Sequence, residues 1–136
     1  VSRLYLGIKN QGAVANPELS FVIAVSDETT DLTTGIAKIK FRMPFAFTIT
    51  DIRASLSTVA TGATLLAVDI NEDGSTILST KLTFDASEST TETATTPRVI
   101  SDTALTDDAE ITIDIDAVGN TTTGRGLKVT IIGTKA

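Results

Sequence analysis

Apolar and polar positions alternate along much of this chain, and within the stretch Phe41–Leu56, FRMPFAFTITDIRASL, the alternation changes phase. Phe41, Met43, Phe45, Phe47 and Ile49 recur at every second position, the period of a strand with one face turned to a core. Past Thr50 the apolar set becomes Ile52, Ala54 and Leu56, while Asp51, Arg53, Ser55 and Ser57 take the polar positions. A slip of one residue reverses both faces of a strand. Only a bulge, or a strand that leaves one sheet to join another, keeps both apolar sets inside, and such corners belong to sandwiches and barrels. Three of the five Phe residues lie in this stretch, which we take as the anchor of the core.

On the amino-terminal side, Val1–Ser20 resembles the rest least. Leu4, Leu6 and Ile8 alternate briefly, and then Gly7, Gly12, Asn16 and Pro17 break any regular element. We read residues 1–20 as an extended arm, held down either by its own domain or by a neighbouring subunit, and residues 21–136 as one domain. Phe21–Ser26 is apolar on both faces, like a short strand covered on both sides. After the polar loop Asp27–Thr34, the strand Gly35–Pro44 sets Ala37, Ile39, Phe41 and Met43 on one face and Lys38, Lys40 and Arg42 on the other. Pro44, unable to donate to a ladder, marks an edge or the bend itself.

Beyond the corner, Ser57–Thr64 is a flexible connection, and Leu65–Asn71 and Ser75–Phe84 form a hairpin around Glu72-Asp73-Gly74. Leu66, Val68 and Ile70 face inward on its first arm, and Leu78, Leu82 and Phe84 on its second. The polar Asp85–Pro97 is too long for a tight turn and long enough to cross the end of a sandwich as a Greek-key connection. Arg98–Ile100 starts a short strand, and Ser101–Asp108 is a turn. Glu110–Ala117 alternates cleanly, with Ile111, Ile113 and Ile115 inward and Glu110, Thr112, Asp114 and Asp116 outward. Val118–Gly126 is a loop, and Leu127–Ile132 closes the fold. About eight short strands with no helical period predict an all-β, two-sheet antiparallel sandwich of the jelly-roll kind. An immunoglobulin-like sandwich is the second choice.

Composition narrows the chemistry. At 136 residues the chain is long enough for a single core. It has no Cys and no His, so disulfides, thiolate metal sites and the commonest catalytic base are absent. Ser and Thr make up roughly a quarter of the residues, a bias that suits exposed pleated sheet. The net charge of -6 argues against nucleic acid as a direct ligand, which needs a basic footprint. No apolar run approaches a membrane span, and the opening VSRLYLGIKN lacks the long apolar core of a signal peptide.

Two acidic patterns bear on metal or catalysis. Asp69, Asn71, Asp73 and Gly74 match the first half of a calcium loop, but the twelfth position is Thr80 instead of Glu and the flanks are strands, so a plain hairpin turn is the preferred reading. Asp102, Asp107, Asp108, Glu110, Asp114 and Asp116 form a run without Lys or Arg. A glycosidase pair needs one carboxyl with a raised pKa in a cleft, whereas Asp114 and Asp116 are expected on an exposed face. A solvated face or subunit contact is preferred, with the row Lys38, Lys40 and Arg42 as its natural complement. No hydroxyl has a His to activate it, no phosphate loop is present, and the aromatic platforms of sugar sites are missing, so no enzyme and no cofactor are expected.

Taken together, RMPFAFTITDIRASL, VDINEDGSTILSTKLTFDASE, TTPRVISDTALTDDAEITIDID and GRGLKVTIIG resemble a group of small β-rich virion proteins encoded by tailed bacteriophages, notably phages of aquatic bacteria and cyanobacteria. In those relatives a similar core serves either as a capsid-associated protein or as a module of a tail fibre. The resemblance covers roughly Phe21–Ile132, leaves out the arm, and carries no active site. It implies a capsid decoration or cement protein, a trimer seated on the major capsid protein at the outer surface of the virion. Leu4, Tyr5, Leu6 and Ile8 of the arm, with Lys38, Lys40 and Arg42, are the expected partner contacts. The alternative it implies is a tail-fibre or receptor-binding module that meets a host glycan through Thr58–Thr64 and Val118–Gly126.

Overall fold

The computed structural model describes residues 16–136, and every described segment of regular pairing is antiparallel. Among the described residues eleven strands form: β1 (Glu18–Ala24), β2 (Gly35–Arg42), β3 (Phe47–Ser55), β4 (Leu66–Glu72), β5 (Ser75–Thr76), β6 (Leu78–Thr80), β7 (Leu82–Phe84), β8 (Val99–Ile100), β9 (Ala104–Leu105), β10 (Glu110–Ala117) and β11 (Lys128–Lys135). One sheet has the order β1-β11-β3-β9; the other has the order β2-β10-β4-β5, with β7 also on β4; β6 and β8 make a separate ribbon. Counting β5–β7 as one broken strand and β8–β9 as another leaves eight strand positions. The first four alternate between the sheets, as do the last three, and the pairing order is that of a double Greek-key jelly roll.

The phase change in Phe41–Leu56 uses both devices that can hide two opposite apolar sets. The strand of Phe41 ends at Arg42 in the second sheet, and the chain bends through Met43–Ala46, with Pro44 in the bend, to enter the first sheet as β3. Within β3 the pairing with β11 jumps from Ile49↔Gly133 to Asp51↔Ile132, leaving Thr50 as the extra residue of a bulge. Phe47 and Ile49 before it, and Ile52, Ala54 and Leu56 after it, are all buried. Gly133 makes this crossing possible: a side chain there would collide with the Thr48 carbonyl oxygen and the Phe47 ring. The space it leaves lets Phe47 reach across β11 to Phe21, edge to face, with ring centroids 5.1 Å apart.

The hairpin around Glu72-Asp73-Gly74 forms with a two-residue loop, Glu72 pairing with Ser75, and both loop residues have positive φ (48° at Asp73, 87° at Gly74). That is the twist a tight hairpin needs and the reason Gly occupies its second position. Its second arm departs from the expected single strand Ser75–Phe84. β5 and β7 pair with β4, whereas β6 leaves to pair with β8, and buried Ile77 is the pivot between them. Leu78, Leu82 and Phe84 all remain inside, as their spacing predicts.

Asp85–Pro97 does pass from one sheet to the other, and it lies along the edge of β3. Leu56 N–H donates to the Ser89 carbonyl at 2.9 Å, and the buried Thr91 hydroxyl accepts from Ala54 N–H at 3.0 Å. A single 3-10 turn, Thr91–Thr93, capped by the Thr90 hydroxyl, ends this pairing. Several boundaries move, and the expected turn Ser101–Asp108 contains the short strand β9. β1 already begins at Glu18, so Glu18–Ser20 are strand instead of arm, and β11 runs to Lys135.

Phe21–Ser26 is not covered on both sides. β1 is an edge strand, paired only with β11 among the described residues, and Val22 on its outer face is 67% exposed. An apolar residue on an edge strand reads in sequence like one in a central strand, because period alone does not report neighbours.

Candidate interaction surface

The outward face of the second sheet is the largest departure from the expected pattern. Glu110, Thr112, Asp114 and Asp116 alternate as predicted, yet Thr112 and Asp114 are buried, Asp114 to 9% exposure. β10 is the central strand here, with β2 on one side and β4 on the other, and the neighbours' side chains close over it. Asp69, directly opposite Asp114 in register, and Asn71 are buried too, at 7% and 9% exposure.

Asp114, Asp69 and Asn71 each have a partner. Asp114 Oδ1 accepts the Ala37 backbone N–H at 2.7 Å and Oδ2 accepts from Asn71 Nδ2 at 2.9 Å. Asp69 Oδ1 accepts from Ile70 N–H and from the Thr76 hydroxyl. Ala37 sits where β2 bulges against β10, with φ of 51°, so its amide cannot join the ladder and the Asp114 carboxylate takes it instead. The calcium-loop residues are likewise spent on the fold: Asp69 on Thr76, Asn71 on Asp114, and Asp73 on the Glu110 amide at 3.0 Å. Among the described residues no cluster of acidic side chains is arranged to hold a metal ion.

Two like charges face each other at Asp69 and Asp114, which is unfavourable by about 0.2–1 kcal/mol for a directly opposed pair. Lys81 answers part of it. Its ammonium is held above the ordinary value by a hydrogen bond to Asp116, opposed by desolvation and aided by the charges of Asp116, Asp69 and Asp114.

The basic row does find acidic company inside its own sheet. Lys40 and Arg42 approach Glu110 at 3.6 and 3.8 Å, Arg42 also donates to the Asp108 carbonyl at 3.0 Å, and Lys38 donates to the Thr33 hydroxyl at 2.7 Å. These ion pairs are long and solvent-exposed, so each contributes little. The row remains an exposed basic stripe beside the acidic residues of β10.

The two loops expected for glycan contact lie together. Thr58 pairs with Arg125 and Thr61 with Thr122 as isolated bridges, and the Thr61 and Thr122 hydroxyls are 2.7 Å apart. With Asp31, they enclose a hollow of about 330 Å³ lined by Thr58, Thr121–Thr123, Gly124 and Arg125. Arg125 Nε donates to Asp31 Oδ1 at 2.6 Å across its rim. No aromatic side chain reaches it.

Apolar surface collects elsewhere, on the edge strands β1 and β2. Phe21 and Ile23 of β1, Ile39 and Phe41 of β2, and Phe45 of the corner are only half-buried, although all pack on the core. Leu19 at the start of β1 is exposed, and Ile36 of β2 is 86% exposed. Phe21 and Phe45 are joined, with ring centroids 6.0 Å apart. On the opposite side Ile77, Leu78, Phe84 and Leu105 are buried beside the β6–β8 ribbon, although Val99 of β8 is 50% exposed. No signal in the sequence marked this asymmetry, since Phe21 and Phe41 sit in patterns identical in kind to those of buried strands. The expected contacts Leu4, Tyr5, Leu6 and Ile8 lie outside the described residues.

Among the described residues no helix is long and apolar enough to cross a membrane. Comparison with protein-family models, with curated proteins and with solved structures finds no match to this chain.

Proposed function

We propose that this chain is a structural protein of a tailed-bacteriophage virion, a decoration or cement protein that binds the major capsid protein on the outer surface of the head and stabilises it as a homo-oligomer, a trimer. The observation that carries the reading is the set of half-buried apolar side chains on β1 and β2, which are edge strands among the described residues. Such an edge offers ladder groups and apolar side chains to another polypeptide, and it has the shape of a macromolecular contact instead of a small-molecule site. The buried carboxylates Asp69 and Asp114 are engaged in holding the fold, which accords with a mechanical role. Partner contacts are assigned to Leu4, Tyr5, Leu6 and Ile8 of the amino-terminal segment and to the stripe Lys38, Lys40 and Arg42.

The mechanism is mass action. A protein that binds the assembled shell and not its separated subunits stabilises the shell by about 2.7 kcal/mol per site when present at 100 times its dissociation constant. The test is to label purified particles with antibody to this chain and to heat heads with and without it. Gold on heads, with DNA release moved to higher temperature when the protein is restored, is the expected result. Absence of label from particles would overturn the reading.

A second reading, a tail-fibre or receptor-binding module, draws support from the hollow between Thr58–Thr64 and Val118–Gly126, where clustered hydroxyls and Arg125 could hydrogen-bond sugar hydroxyls. Label confined to tail tips would favour it. The lack of an aromatic platform beside the hollow counts against it.

A further inference from the structure

The hollow between Thr58–Thr64 and Val118–Gly126 is built by the main chain before any side chain enters it. Thr58 and Arg125 exchange backbone hydrogen bonds at 3.1 and 3.0 Å, and Thr61 N–H donates to the Thr122 carbonyl at 3.0 Å. Leu32 N–H donates to the Gly124 carbonyl at 3.0 Å, which fixes the neighbouring loop Asp27–Thr34 alongside. Gly119 permits the close approach: a side chain there would collide with the Thr61 backbone and the Thr122 carbonyl. The walls are therefore set in advance, which reduces the ordering that binding must supply.

A second hollow of about 180 Å³, with Ser26, Thr30, Thr33 and Lys38 in its wall, adjoins the first, and Asp31 lines both. We propose that the two hollows together bind a neutral saccharide, one sugar ring on each side of Asp31. The inference rests on the second reading above, whose hollow it uses, and adds the class of ligand and the second subsite.

A neutral ligand follows from the charges. Arg125 and Asp31 meet through one nitrogen and one oxygen, Nε and Oδ1, so the Arg125 Nη groups and Asp31 Oδ2 have no partner among the described residues. A phosphate or carboxylate drawn to Arg125 meets the Asp31 carboxylate beside it, and an ammonium drawn to Asp31 meets Arg125. A sugar hydroxyl donates and accepts at once: one of a vicinal pair donates to Oδ2 while its neighbour accepts from Nη. The second hollow carries the same balance, Lys38 with Asp27. Serine and threonine hydroxyls supply most of the remaining lining. The Thr123 hydroxyl in the first wall is buried without a hydrogen-bond partner among the described residues, a donor the fold leaves unspent. At about 330 Å³ the first hollow is small for a ligand site and suits a single ring. With no aromatic ring to stack on, hydrogen bonds act alone, and the dissociation constant is expected on the order of 1 mM.

The test titrates the isotope-labelled full-length protein with methyl glucoside, methyl galactoside and methyl mannoside, with the disaccharides maltose and lactose, and with the uronate and amino-sugar counterparts. For at least one neutral sugar, amide shifts should appear at Asp31, Thr58 and Thr121–Arg125, and a disaccharide should extend them to Thr30 and Thr33. The charged counterparts should bind about five-fold more weakly or worse. Arg125→Gln should weaken the neutral sugar about ten-fold. Asp31→Asn gives the sharper readout, because it leaves Arg125 unopposed: the uronate should bind better and the neutral sugar worse, a reversal that a merely structural loss does not produce. Both side chains are at the surface, and an unchanged remainder of the amide spectrum checks that the variants fold. Absence of shifts with every neutral sugar, a uronate that binds the native chain equally well, undiminished binding by Arg125→Gln, or disaccharide shifts that stop at the first hollow each overturn the inference. Particle labelling decides the second reading separately. Label on heads with sugar binding intact removes the tail assignment and leaves the site, whereas label on tail tips without sugar binding does the reverse.

Discussion

Asp114 shows how a residue that looks solvent-facing in sequence comes to hold the fold. Its alternation partners, Glu110 and Asp116, stay at the surface, while Asp114 is closed over and accepts two hydrogen bonds, from Ala37 N–H and Asn71 Nδ2. Hydrogen bonds to a charged group contribute about 1.5–3 kcal/mol each, whereas relief of the opposition to Asp69 returns at most about 1 kcal/mol. Loss of the bonds therefore dominates. Asp114→Ala is expected to destabilise the protein by about 2 kcal/mol at neutral pH in urea unfolding, and Asp114→Asn, which keeps an acceptor for the Ala37 amide, by less. Equal stability of the alanine variant and the native chain would show that the bulge amide has another partner.

Among the elements, β3 and β11 carry the crossing on which the core depends. The bulge at Thr50 brings Phe47 and Ile49 to the same side as Ile52 and Ala54, and Gly133 opposite provides the room. The obstruction to a larger residue is partly backbone, the Thr48 carbonyl, which cannot swing aside as a side-chain tip can. Gly133→Ala is accordingly expected to lower stability by about 1–3 kcal/mol, the range for overpacking a filled core, and to weaken the Phe21–Phe47 contact. Thermal unfolding measures the first. Chemical-shift changes confined to the two rings and β11 report the second.

For the molecule as a whole, the long connection between the sheets is fastened by charge as well as by backbone. Arg98 bridges Asp51 and Glu92, and Arg53 joins the same two acids, so β3 and the 3-10 turn are tied at the outer face of the first sheet. Burial pushes the Asp51 carboxyl up, but hydrogen bonds from Arg98 and Arg53 outweigh it and hold the group below its ordinary value. Asp27 is also held low, by the amide and hydroxyl of Thr30 and the amide of Thr29, and Glu28 by Lys128 and Ser57. A carboxyl whose folded pKa is depressed contributes stability that is present above its unfolded value, about 3.9 for Asp, and is lost as pH falls through the folded one. The melting temperature should therefore hold between about pH 5 and 7 and fall below about pH 4. Arg98→Gln should flatten that acid limb, because Asp51 then has one fewer cation to lose. A melting temperature that drops as steeply in the variant as in the native chain would show that the network does not govern acid stability.

Local pattern alone was enough for the all-β class, for a bulge or a change of sheet within Phe41–Leu56, for the Asp73-Gly74 hairpin and for the inward residues of most strands. Each of these is written in neighbours one or two positions apart, through period, phase or turn chemistry. Tertiary structure decided which strands became edges, and hence that Phe21 and Phe41 are half-covered while Ile113 is sealed. It also decided that Asp69 and Asp114 meet under cover, that β6 leaves its hairpin, and that two threonine-rich loops share a hollow. Those outcomes depend on which distant segment lies alongside, and alternation along one strand reports only the direction of a side chain, never what stands beyond it.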